Sequence, residues 1–194
     1  MIPSKTENPP ALLTALLLLL TGTFFRVLRV EIAPGVLPNF SPLMASALCA
    51  AVFLPGWIGV IVPVAALLIS DLVLNLHYGV PLVSAQLLWT LPGYLVAVAL
   101  GWCLRGRAGL GPVLGGTVAA SLFFYVVTNT GCWLGLPAYP QTLAGWVQAM
   151  TAGIPGYPPT WTFFRNSLIS DLLFAALFVF VERAVASRKA AVLA

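Results

Sequence analysis

Long apolar runs, broken at short polar or Pro/Gly-containing points, dominate the hydrophobic pattern of this chain. Six runs approach the roughly 20 residues needed to cross a bilayer as a helix, near residues 11–28, 42–56, 57–76, 82–104, 110–134 and 160–184. The period-2 alternation of a barrel strand is absent, so helices are the structures that can satisfy the backbone in hydrocarbon. The second run is short and ends at Pro55-Gly56, which predicts a tilted or partly re-entrant helix. Pro63 and Pro92 fall inside the third and fourth runs, where neighbouring helices can absorb the lost hydrogen bonds.

Between the fifth and sixth runs, residues 135–159 carry no charge. Within them, residues 141–152 place Leu143, Trp146, Val147 and Met150 at helical spacing. A structureless loop of this length is unusual in a compact domain, so the segment is expected to be either a structured lid or a helix lying at the membrane interface.

Composition supports the membrane reading. Of 194 residues, 60% are hydrophobic and 7% charged, against about 25% charged in soluble domains. Residues 1–194 are therefore expected to form a single integral membrane domain. The net charge of +4 does not imply nucleic acid, because the nine Lys and Arg residues are scattered without a basic face. Six of them, Lys5, Arg105, Arg107, Arg183, Arg188 and Lys189, share one side if both termini are cytoplasmic, leaving Arg26, Arg29 and Arg165 outside. The first run lacks a small-x-small cleavage site and is expected to be retained as an anchor. Cys49, Cys103 and Cys132 are isolated, with no CxxC pair or Cys/His cluster, so neither a disulfide framework nor a metal or cofactor is expected.

The pentapeptide LISDL occurs at 68–72 and again at 168–172, so two of the five acidic residues, Asp71 and Asp171, lie within apolar helices. A carboxylate at the bilayer centre costs about 2.5–3.5 kcal/mol on insertion scales. Both acids are expected in the outer half of the membrane, at the depth of Arg26 and Arg165. Two readings stand: Arg–Asp pairs that pin helices together, or the polar floor of an outward-facing cavity. Neither LISDL has the GxGD or YD context of intramembrane aspartic proteases, and no further carboxylates form a proton relay, so no enzymatic activity is expected. At the same face lie Asn39 and Ser41, the run Thr128-Asn129-Thr130, Asn166 and Ser167, with His77 nearby. Trp133, Tyr139, Trp146, Tyr157 and Trp161 add aromatic surface. The candidate binding set is Asn39, Asp71, His77, Asn129, Trp133, Tyr139, Trp146, Arg165, Asn166 and Asp171.

PNFSPLMASAL (38–48), VPVAALLISDLVLNLH (62–77), SLFFYVVTNTGCWL (121–134), YPQTLAGW (139–146) and RNSLISDLLF (165–174) together resemble a bacterial family of six-helix membrane proteins. That family is similar in size and layout to the substrate-binding S components of energy-coupling factor transporters. The resemblance implies an all-α bundle of six transmembrane helices with a structured outer loop between the fifth and sixth. It further implies a cytoplasmic-membrane protein that binds a small solute, a vitamin or related micronutrient, from outside. Implied partners are a transmembrane coupling protein and ABC-type ATPases, docked through an A-x-x-x-A motif that Ala11 and Ala15 match. The alternative is a non-transporting membrane assembly protein.

Overall fold

The computed structural model describes residues 17, 20, 21, 23–27, 38–81, 83 and 85–193. Ala11 and Ala15 lie outside them. The described chain is helical, without strands: residues 23–27 belong to an N-terminal helical stretch, followed by α1 (Leu43–Phe53), α2 (Ile58–Tyr78), α3 (Gln86–Cys103), α4 (Leu110–Gly135), α5 (Leu143–Met150) and α6 (Thr160–Leu193). Among the described residues, α1 to α4 fall within a few residues of the apolar runs, α6 continues well beyond residue 184, and most of the run at 11–28 lies outside the described residues. Gly79 ends α2 in the left-handed conformation, its N–H donating to the carbonyls of Asn75 and Leu76. Thr142 caps α5 by accepting the Gly145 N–H at 3.2 Å.

Three helices, α2, α3 and α4, are long and apolar enough to cross a membrane, which points to membrane association. α1 is not: its 11 residues span roughly 16 Å, about half of a ~30 Å hydrocarbon core. The run at 42–56 thus folds as a helix too short to cross a bilayer by itself. α1 instead forms the centre of the molecule, with Met44 to Val52 all buried and α2, α3, α4 and α6 packed around it.

Its position follows from side-chain size. LMASALCAAVF is rich in alanine, and the surrounding helices meet it at glycines. A Cβ on Gly101 of α3 would lie 2.5 Å from the Leu48 carbonyl oxygen and 2.6 Å from the Ala51 Cβ, and one on Gly59 of α2 would lie 2.8 Å from the Ala50 oxygen. Small residues thus allow backbone to approach backbone, the usual device where lipid supplies no hydrophobic force between helices. Gly101→Ala is expected to cost about 2 kcal/mol through overpacking, whereas Gly115→Ala, with nothing within 4 Å, should be neutral or slightly stabilising because alanine favours helix. Thermal unfolding in detergent of the two variants checks this contrast; equal melting temperatures would reject close packing at Gly101.

A half-length buried helix leaves its end groups inside the protein, and both ends of α1 are satisfied from other elements. At the N-terminus, Asp171 of α6 accepts the Ala45 N–H at 3.0 Å and the Ser121 hydroxyl at 2.8 Å, and is 1% exposed. At the C-terminus, Arg105 donates from Nε to the Ala51 oxygen at 2.7 Å and from Nη2 to the Leu54 oxygen at 2.8 Å. Anion at the N-terminus and cation at the C-terminus also complement the helix dipole.

Candidate functional site

A cavity of about 480 Å³ opens at the end of the bundle where α2 and α4 finish and α3 and α6 begin. Each wall is one helical face. From α4 come Phe124, Tyr125, Thr128, Asn129 and Cys132; from α6, Thr160, Phe163, Phe164 and Ser167. These recur three or four residues apart, so they share a face. Leu74 and Tyr78 of α2 and Gln86 and Thr90 of α3 complete the sides, while Arg26 and the turn containing Asn39 and Ser41, with Leu43 at the start of α1, close the remainder.

The turn is held in place by α6. Asn166, 2% exposed, donates from Nδ2 to the Pro38 oxygen at 3.0 Å, and its Oδ1 accepts from Arg165 Nε and Nη2 at 3.3 and 3.2 Å. The Arg165 guanidinium also sits over the Trp161 ring, 5.2 Å from its centroid. Asn39 adopts a left-handed φ of 60°, a conformation that asparagine tolerates better than most side chains.

Arg26 forms an ion pair with Asp71 and donates from Nη1 to the Ser70 hydroxyl at 2.8 Å. The N-terminal stretch is thereby tied to α2 beside the cavity. Of the pairings the sequence suggests, Arg26 with Asp71 is the one that forms. Arg165 engages Asn166 and Trp161 instead, and Asp171 caps α1.

Other members of the predicted binding set lie around the cavity without lining it. His77, on the last turn of α2, meets the Tyr78 ring edge-on at 5.0 Å. Trp133 donates to the Pro140 oxygen at 2.9 Å, and Trp146 to the Thr130 hydroxyl at 3.0 Å. Tyr139 is buried, with its N–H donating to the Leu136 oxygen. The bonds of Trp133 and Trp146 tie residues 136–151 to the C-terminal end of α4. None of residues 136–159 lines the cavity; the connection to it runs through Tyr125, whose hydroxyl donates to the Met150 oxygen. Asn39 and Asn129 do line it. Tyr78, Gln86, Thr90, Tyr125, Phe163 and Phe164 were not singled out from the sequence, although the three- and four-residue recurrence of polar and aromatic residues at the ends of apolar runs marks this face.

No curated protein and no solved structure matches the chain. A model described as "Family of unknown function (DUF6580)" matches residues 5–193, and the chain belongs to that family.

Proposed function

We propose that this chain is a solute-capturing membrane subunit, similar in role to an S component. A vitamin or related micronutrient enters the cavity from outside and crosses the bilayer with the help of an ATP-driven energy-coupling module. One observation carries this reading: a cavity of about 480 Å³ with mixed aromatic, amide and hydroxyl lining, built from all four sides of a helical bundle. Small-molecule sites have this character and fall at about 300–1,000 Å³. In the proposal the bundle crosses a bacterial cytoplasmic membrane six times with both termini inside, α1 completing the second crossing together with the turn before it. A transmembrane coupling protein docks at Ala11 and Ala15, and the chain performs no chemistry on its solute.

Purification from the native membrane, followed by mass spectrometry of everything retained, tests the proposal. A bound metabolite, or a co-purifying coupling protein with ATPases, supports it; an empty cavity beside an unrelated membrane complex removes it. Orientation has its own check in two native thiols. Cys132 lines the cavity, and Cys103 is exposed at the other end of the bundle. An impermeant maleimide applied to right-side-out vesicles is expected to label Cys132 and spare Cys103, with the opposite pattern rejecting the orientation.

A second reading, a non-transporting assembly protein, draws on the structural employment of both LISDL acids: Asp71 holds Arg26, and Asp171 holds α1. It predicts no retained molecule and no ATPase.

A further inference from the structure

Resting on the solute-capture reading of the same cavity, we infer that its ligand is an uncharged, flat ring compound with hydrogen-bonding groups along its edge.

Charge selects against ions. Among the described residues, no carboxylate lines the cavity, and Arg26, its lining cation, is neutralised by Asp71. The start of α1 at Leu43 would ordinarily attract an anion. Here the Asp171 carboxylate already holds the Ala45 N–H just behind it. Among the described residues, an entering anion therefore meets a filled helix end and a paired guanidinium, and an entering cation meets no carboxylate. Neither gains a partner to offset its lost hydration.

Shape and polarity select for a ring. Tyr125 of α4 and Phe164 of α6 lie with ring centroids 4.6 Å apart at 32°. With Phe124 and Phe163 they provide aromatic surface against which a planar molecule can lie in offset or edge contact. Around this surface stand the primary amides of Asn39, Gln86 and Asn129. Asn129 commits Nδ2 to the Tyr125 oxygen at 2.8 Å, which leaves Oδ1 to accept. Gln86 has a thiol contact of 3.9 Å to its Oε1, and its Nε2 can donate. An amide offers both donor and acceptor without charge, the complement of a neutral heterocycle with N–H and C=O groups on its rim.

The test uses the full-length protein in lipid nanodiscs and two matched probe pairs, uracil with orotate and nicotinamide with nicotinate, measured by equilibrium dialysis. The neutral member of at least one pair is expected to bind at least tenfold tighter than its carboxylate partner. Asn129→Leu and Gln86→Leu are each expected to weaken that binding about five- to tenfold without lowering the melting temperature. A carboxylate binding as tightly as its neutral partner, or no saturable binding of any probe, overturns the ring assignment, as does binding unaffected by both variants. A charged or non-planar solute retained from the native membrane overturns the ligand class alone and leaves solute capture standing. A native preparation that retains nothing and binds no probe removes both.

Discussion

Asp171→Leu is expected to destabilise the protein by about 3 kcal/mol, whereas Asp171→Asn costs about 1 kcal/mol. Leucine has the same branched outline and number of side-chain heavy atoms, with bulkier methyl groups, so the loss does not come from a cavity. It comes from the Ala45 N–H and the Ser121 hydroxyl, which donate to the two carboxylate oxygens inside the bundle and would be left without an acceptor where water cannot reach. Asparagine keeps a carbonyl oxygen for Ala45, and the Ser121 hydroxyl can rotate to accept from the new amide. Thermal unfolding in detergent of wild type and both variants measures the ordering. If the leucine variant melts with wild type, capping of α1 by Asp171 is not what holds this helix. If the asparagine variant instead melts normally but loses a ligand that wild type retains, Asp171 acts in binding rather than in packing.

The Arg26–Asp71 pair should behave in the opposite manner when both partners are removed. Arg26→Leu leaves Asp71, with 17% of its side chain exposed, without its counter-ion, and Asp71→Leu does the same to Arg26. Each single change is expected to cost about 2 kcal/mol, discounted from the larger penalties of fully buried pairs because both groups keep some solvent contact. The double leucine variant is expected to recover most of that loss, since an apolar pair replaces an ion pair at little net cost. A double-mutant cycle gives the coupling; additive single effects would show that the contact contributes nothing. The same double variant separates the two functional readings. An assembly protein keeps its partners as long as the bundle stands, but a solute-binding protein loses the polar N–H groups that Arg26 places at the cavity wall.

These contrasting fates belong to one pentapeptide. LISDL at 68–72 and LISDL at 168–172 are identical in sequence and equally apolar in setting, yet Asp71 meets an arginine from the N-terminal stretch and Asp171 meets a helix end. The sequence reading anticipated that buried acids need partners, because the cost of an unpartnered carboxylate depends on its chemistry alone. It could not say which partner, since that depends on which segment the fold brings alongside. Trp133, Tyr139 and Trp146 make the same point. Their chemistry suits a binding cavity, but helix phase and packing commit Trp133 to the Pro140 oxygen and Trp146 to the Thr130 hydroxyl and bury Tyr139, while Tyr125 and Phe164, less conspicuous in the chain, form the wall.

The sequence by itself determined the helical class, the presence of helices long and apolar enough to cross a membrane, the approximate bounds of α2, α3 and α4, and the shortness of the helix that ends before Pro55-Gly56. All of these rest on hydropathy and turn chemistry, which act between residues close along the chain. Tertiary structure decided that α1 is a buried central helix, that its two ends are capped by Asp171 and Arg105, and which faces line the cavity. The donors to Asp171 lie 126 and 50 residues away in the chain, so the contacts that set its role come into being only when the helices have packed.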